Sequence, residues 1–323
     1  MQSESTVGLG EDLRVEPLGV ETWAWVAKRL WGYGGDYGRE DVTAAFHASL
    51  KRGVRLFDTA EIYGSGASEK IIGKLLKEGA PSGPSPLVAT KFAPLPYRFG
   101  PRSLLKALDG SLERLQVEAV DLYQIHFPSP LLKIEGLMDA LAEAVKEGKA
   151  RHVGVSNYGA AQMRRAHECL AGHDVPLASN QVHYSLLNRA PETNGVLDAC
   201  RDLGVTLIAY SPLAQGLLTG KYAPGARPPG LVRRLNRSFG EANLRKIGPL
   251  LETLRRIGEA YDKTPSQVAL NWLVTRRGVL AIPGAKNERQ ARENAGSLGW
   301  SLSPEEIGEL EVLSRQLTAT RRP

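Results

Sequence analysis

Eight strand-like segments, each followed by a helix-like one, predict an α/β protein whose fold is a (β/α)8 TIM barrel. Three observations carry this. The alternation is regular from one end of the chain to the other. A polar, chemically useful side chain stands where nearly every strand runs out, as at the C-terminal face of such a barrel. The 323 residues, 42% hydrophobic, suffice for one large core and show no internal linker, so one domain over residues 1–323 is expected. An open doubly wound sheet is the competing architecture. When it binds dinucleotides it usually carries a GxGxxG turn after a strand, and neither GYGGDYG nor YGSGASE fits that spacing. No Walker motif occurs either.

The elements follow in order. PLGVETWAW (17–25) reads as a short strand, and Arg39 to Lys51 as a helix with Val42, Phe46 and Leu50 at four-residue steps. GVRLFDT (53–59) is the next strand. Ser68 to Lys77 is a helix with Ile71, Ile72, Leu75 and Leu76 on one face. The strand PLVATK (86–91) precedes a helix from Arg102 to Leu115, lined by Leu104, Leu108, Leu112 and Leu115. AVDLYQIHF (119–127) is a strand stopped by Pro128, and Ile134 to Glu147 a helix closed by Gly148. ARHVGVS (150–156) and Ala160–Leu170 form the next strand and helix, then LASNQV (177–182) and a helix from Glu192 to Leu203 closed by Gly204. After the strand VTLIAYS (205–211), a Gly/Pro/Arg-rich loop runs from Pro212 to about Gly240. Helices are expected over Leu244–Asp262 and Pro265–Thr275, then the strand VLAIPG (279–284) and a helix Glu288–Leu298. The capping pattern Ser303-Pro304-Glu305-Glu306 opens a C-terminal helix over about 303–316.

Composition narrows the function classes. Charged residues are 24% and aromatics 7%, ordinary for a soluble globular chain, and no apolar run approaches the roughly 20 residues needed to cross a bilayer. The net charge of +6 comes from basic residues spread along the chain, which points to a mildly basic surface rather than a nucleic-acid partner. Cys169 and Cys200 fit a reducing compartment without a disulfide framework, and neither has metal-ligand spacing, so no metal is expected. The opening residues MQSESTVGLGEDLRVE carry neither a signal-peptide core nor much transit-peptide character. The expected compartment is the cytoplasm or the chloroplast stroma.

Read in order, the strand ends are Thr22-Trp23, Asp58 with Tyr63 just beyond, Lys91, His126, Ser156-Asn157, Gln181, Tyr210-Ser211, and Lys286 just past IPG. Asp58, Tyr63, Lys91 and His126 each have a plainer explanation alone: a turn, a cap on the core, a solvated strand end, a satisfied core histidine. Together at successive strand ends they describe acid catalysis. A tyrosine with a pKa near 10 is a poor proton donor at neutral pH, and an adjacent ammonium lowers that value. Asp58 would hold and aim Lys91, and His126 would orient a carbonyl. Ser156, Asn157 and Gln181 offer the donors and acceptors a nicotinamide carboxamide needs, and Tyr210 a face for its ring. In IPGAKNERQAREN, residues Lys286, Arg289, Gln290, Arg292 and Asn294 cluster around a helix start, suited to phosphate or else forming a solvated helix face. Arg227, Arg233, Arg234 and Arg237 in the long loop either fold over a cofactor or stay mobile.

With these residues in view, the chain resembles the aldo-keto reductase family. The motifs are LFDTAEIYG, ATKF, DLYQIHFP, VGVSNY, SNQVHYSLLNR, AYSPLAQGLLTGKY and IPGAKNERQARENAG, spanning nearly the whole chain. The resemblance is to the plant and cyanobacterial branch with chloroplast-type and pyridoxal reductases; potassium-channel β-subunits are more distant. It implies NADPH and reduction of a small-molecule carbonyl substrate, with Tyr63 as general acid, Lys91 and Asp58 as the pair that tunes it, and His126 orienting the carbonyl. It also implies Thr22 and Trp23 at the nicotinamide ribose, and Ser156, Asn157 and Gln181 at the carboxamide with Tyr210 stacked on the ring. Ser211, Leu213, Gly216 and Lys221 would hold the diphosphate, and Lys286, Gln290, Glu293 and Asn294 the adenosine and 2′-phosphate end. The alternative it leaves is an NADPH-sensing binding subunit with slow turnover. The family's first strand usually reads G-T-W, whereas here Glu21 precedes Thr22-Trp23, and Phe127 follows His126 where many relatives have Trp. Pyridoxal or another aromatic aldehyde is the substrate this resemblance suggests, and the aromatic loop Trp25–Tyr37 either accommodates such a ring or packs on the barrel rim.

Overall fold

The computed structural model describes residues 6–79, 85–222 and 236–319. Eight parallel strands form one sheet among these residues: β3 (Val20–Glu21), β4 (Leu56–Asp58), β5 (Leu87–Phe92), β6 (Val120–Ile125), β7 (Ala150–Ser156), β8 (Leu177–His183), β9 (Thr206–Tyr210) and β10 (Val279–Ile282). They pair in sequence order, and the last returns to the first through bridges Leu18–Ala281 and Glu21–Gly284, which close the barrel. β5 and β6 are buried at every position, because helices cover the outside while side chains fill the inside. Their polar residues, Thr90, Lys91, Asp121 and Gln124, are buried with the apolar ones.

The helices bury the faces their periodicity marks. Leu104, Leu108, Leu112 and Leu115 are all buried on the helix Arg102–Leu115, and Ile72 and Leu75 on the helix Ala67–Glu78. Three segments depart from expectation. Only Val20–Glu21 of the segment 17–25 is strand, and Trp23–Trp25 turns into a short 3-10 helix. The expected helix Glu192–Leu203 is two short ones, Ala190–Thr193 and Val196–Leu203, separated at Asn194-Gly195, where Gly195 takes φ +79. The loop after β9 begins as a 3-10 turn, Ala214–Thr219, and Arg237 lies in another, Arg237–Phe239. Arg227, Arg233 and Arg234 lie outside the described residues.

A hairpin of β1 (Val7–Gly8) and β2 (Arg14–Val15) precedes the barrel. Val7, Leu9 and Val15 pack against Leu56, Leu87, Leu122, Ile208 and Leu280, so the hairpin plugs the end where the strands begin. The opposite end, where the strands finish, is left to carry the polar residues. No helix among the described residues is long and apolar enough to cross a membrane.

Candidate active site

Asp58 closes β4, and Lys91 sits one residue from the end of the neighbouring β5. Both side chains point into the barrel and form an ion pair with 1% and 0% exposure. The Lys91 ammonium also donates to the Thr59 carbonyl at 2.8 Å. The other Asp58 oxygen accepts from Gln181 Nε2 at 2.9 Å and Gln124 Nε2 at 3.3 Å. A buried pair survives only when its remaining lone pairs and protons find partners, and here they do.

Tyr63 lies five residues beyond Asp58, in the turn before the helix Ala67–Glu78. Its ring centroid is 5.1 Å from Lys91 Nζ and 5.8 Å from the His126 ring, which meets it edge-on. Trp23 covers it at 6.2 Å. The four ionisable strand-end residues therefore form one cluster. Burial, reinforced by Lys91, lowers the His126 imidazole to about 3, which keeps it neutral at working pH. His126 Nδ1 is buried without a hydrogen-bond partner among the described residues.

The expectation that Lys91 lowers the Tyr63 pKa is corrected here. Burial comes first, followed by the negative charges of Glu21 and Asp58, and these raise the phenol well above its ordinary value. Glu21 closes β3 in register with Asp58, so the two carboxyls face the same interior. Burial and that neighbour raise Glu21 to about 7. The sequence marked Glu21 only as a departure from the family pattern. The signal available was a lone charge ending a strand that pairs directly with the Asp58 strand.

The residues beside this cluster form a second group. Ser156 Oγ donates to the Gln181 carbonyl at 2.8 Å, and Asn157 Nδ2 donates to Ser156 Oγ at 3.1 Å and the His126 carbonyl at 3.2 Å. The Tyr210 hydroxyl donates to Asn157 Oδ1 at 3.2 Å. Thr22 is fully buried, its hydroxyl donating to the Asp58 carbonyl at 3.0 Å and lying 2.8 Å from Ser68 Oγ. It braces the strand end from behind.

Glu21 also lines a cavity of about 310 Å³. Ser211, Leu213, Gly216 and Lys221 line one side, and Lys286, Gln290, Glu293 and Asn294 the other. All eight were picked from sequence. Arg289 also lines it, whereas Arg292 pairs with Glu288 and lies outside. Lys286 Nζ donates to the Trp31 carbonyl at 2.9 Å and lies 4.8 Å from the Trp31 ring and 5.0 Å from that of Tyr37. Gln290 accepts from the Lys286 amide at 2.9 Å, and Asn287 caps the helix Glu288–Ala295. Three cations, Lys221, Lys286 and Arg289, around a cavity of this size fit a phosphorylated dinucleotide. Trp25 and Tyr37 are buried, so much of the aromatic loop packs on the barrel rim. Among the described residues no group of three or more His, Cys, Asp or Glu could hold a metal ion.

The chain matches the family model described as Aldo/keto reductase family over residues 22–315. It is 38% identical over 315 residues to the chloroplastic pyridoxal reductase of Arabidopsis thaliana, covering 94% of this chain and 84% of that protein. Glycerol dehydrogenase from Gluconobacter oxydans superposes with a TM-score of 0.85 at 29% identity, covering 100% of this chain and 98% of the other. An aldo-keto reductase from Klebsiella pneumoniae, solved with NADPH, gives 0.74 at 27% identity, covering 97% and 96%.

Proposed function

The chain belongs to the aldo/keto reductase family, and from that premise we propose that Tyr63 is the proton donor in NADP-dependent reduction of an aldehyde or ketone. The observation that carries this reading is the single cluster of Asp58, Tyr63, Lys91 and His126 at neighbouring strand ends of the barrel. NADPH, when bound, supplies hydride to the carbonyl carbon. Tyr63 hands its hydroxyl proton to the carbonyl oxygen. The neutral His126 ring offers an N–H to that oxygen and fixes its position. Asp58 and Lys91 keep the floor rigid and place a positive charge beside the developing phenolate.

Ser156, Asn157 and Gln181 receive the carboxamide, Tyr210 the nicotinamide ring, and Thr22 and Trp23 shape the ribose side. Ser211, Leu213, Gly216 and Lys221 hold the diphosphate. Lys286, Gln290, Glu293 and Asn294 take the adenosine with its 2′-phosphate. The substrate enters past Trp23 and the loops 92–99 and 127–132, whose exposed Tyr97, Phe99 and Leu131 suit an apolar or ring-bearing carbonyl. The plant relative's activity makes pyridoxal the first candidate, with other aromatic aldehydes beside it.

The test is NADPH oxidation by the purified protein with a carbonyl panel including pyridoxal and nitrobenzaldehyde, Tyr63→Phe run alongside. Turnover is expected to fall at least about a hundredfold in the variant, with NADPH binding retained. Turnover that survives in Tyr63→Phe overturns the donor assignment.

A further inference from the structure

We propose that Glu61 and Arg98 form a specificity-determining clasp. It fixes the loop 93–99 against the turn that carries Tyr63, and so presents Tyr97 and Phe99 as a preset wall for a ring-bearing carbonyl. The proposal deepens the reading above and rests on Tyr63 being the donor. β5 lies between β4 and β6, so the loop after it leaves the barrel between Tyr63, which follows β4, and His126, which follows β6. The His126 amide fixes where that loop starts, donating to the Phe92 carbonyl at 2.8 Å. Glu61 stands in the turn two residues before Tyr63, whose amide donates to the Ala60 carbonyl at 3.0 Å.

Glu61 reaches across to the loop with both carboxylate oxygens. Oε1 accepts from the Ala93 amide at 2.7 Å and from Arg98 Nη1 at 2.5 Å, and Oε2 accepts from Arg98 Nη2 at 2.8 Å. Arg98 Nη1 also donates to the Ala93 carbonyl at 3.0 Å, and the guanidinium carbon lies 4.8 Å from the Phe92 ring centroid. The Glu61 and Arg98 side chains are 8% and 17% exposed. This is a two-pronged, largely buried contact, unlike solvent-exposed pairs such as Arg39–Glu78. Both ends of the loop, Ala93 and Arg98, close on one carboxylate.

The loop reads Ala93-Pro94-Leu95-Pro96-Tyr97-Arg98-Phe99. Pro94 and Pro96 restrict its path into the clasp. Within it the Leu95 amide donates to the Ala93 carbonyl at 2.8 Å, and the Arg98 amide to the Leu95 carbonyl at 2.9 Å. With Arg98 pinned inward, Tyr97 and Phe99 on either side of it stay 68% and 83% exposed. A loop held in place before the substrate arrives spares it the entropy of ordering those rings. That gain is available to a ring-bearing carbonyl and not to a small aliphatic one.

Two readouts test it. Trypsin cuts after arginine, and the clasp withholds the Arg98 side chain from the protease, so limited digestion with mass spectrometry needs no substrate. Cleavage of the Arg98–Phe99 bond is expected to rise at least about tenfold in Glu61→Gln, which keeps the side-chain size and loses the charge. An unchanged rate overturns the clasp. For turnover, KM for nitrobenzaldehyde is expected to rise about tenfold in Glu61→Gln and in Arg98→Met. KM for propanal should stay within about twofold of wild type, and the NADPH dissociation constant should not move. Arg98→Lys, a milder variant that keeps the cation without the fork, should fall between. Folded variants in which both aldehydes lose equally, or neither does, overturn the specificity role. Turnover surviving in Tyr63→Phe would instead refute the donor reading and the wall's place beside the reacting carbonyl, while the trypsin result still decides the clasp.

Discussion

Replacing Lys91 by methionine deletes a cation and keeps most of the stem volume. Asp58 then remains 1% exposed with only the Gln181 and Gln124 amides for partners. Breaking a buried pair from one side costs about 3–5 kcal/mol, because the surviving charge is uncompensated. The two amide donors, at 2.9 and 3.3 Å, should hold the loss near the lower end, about 3 kcal/mol. Removing both charges with Asp58→Asn in the same chain should recover most of it, leaving the double variant within about 1 kcal/mol of wild type. The assay is urea denaturation at neutral pH across the four members of the cycle, comparing midpoints at similar slopes. If the double variant loses the sum of the two single losses, the damage comes from packing rather than from an unpaired charge, and the reasoning fails.

Glu21 makes stability depend on pH. Its folded value of about 7 lies above the ordinary 4.5, so the folded chain holds a proton the unfolded chain releases; stability is full below pH 4.5 and declines as pH rises through 7. The shift alone corresponds to about 3 kcal/mol, and partial exposure at the cavity reduces it to about 1–2 kcal/mol. Glu21→Gln should therefore melt higher than wild type at pH 8 and level with it at pH 5, and equal melting points at both would refute this. Lys286→Ala should narrow the NADPH-over-NADH preference by roughly tenfold, measured as the ratio of the two dissociation constants; an unchanged ratio would place the 2′-phosphate elsewhere. Leu9→Ala, in the fully buried part of the plug, should cost about 2–5 kcal/mol by denaturation while leaving kcat near wild type below the new transition. A selective loss of kcat would show that the plug communicates with the opposite face.

The barrel strands were legible because burial on both faces makes them short, largely hydrophobic segments between turn signals, continuous in VLAI and broken by single polar residues in VDLYQI. The strand ends were legible for the converse reason: Asp58 and Lys91 are charges at the edge of such segments. β1 and β2 were not, since two-residue strands have no period to read. The break at Asn194-Gly195 falls inside the expected helix Glu192–Leu203, and the apolar Val196 and Ala199 lie after it, so their spacing does not show where the helix begins. Of the eight cavity-lining residues named from sequence, Ser211 stood out at a strand end and Lys286, Gln290 and Asn294 around a helix start, whereas Leu213, Gly216, Lys221 and Glu293 were reached through motif resemblance, since Leu213 or Gly216 alone carries no chemical signal. The Tyr63 environment could not be read from residue types. A lysine and a tyrosine at adjacent strand ends suggest a lowered phenol, but the sign is set by burial and by Glu21, both of them products of the closed barrel.

Closing the barrel brings together residues about as distant in the chain as this fold allows. Trp25 Nε1 donates to the Ala285 carbonyl at 2.7 Å across 260 residues, whereas Val88 and Asp121, on neighbouring strands, are 33 apart. On loop-closure grounds the longer contact costs about 2 kcal/mol more in chain entropy than the shorter one. The seam between first and last strands is therefore the natural final event of refolding. Glu21, Lys286 and the cavity between them lie along that seam. During renaturation, helical dichroism should return ahead of NADPH affinity, which makes cofactor fluorescence a clock for the last join in the ring.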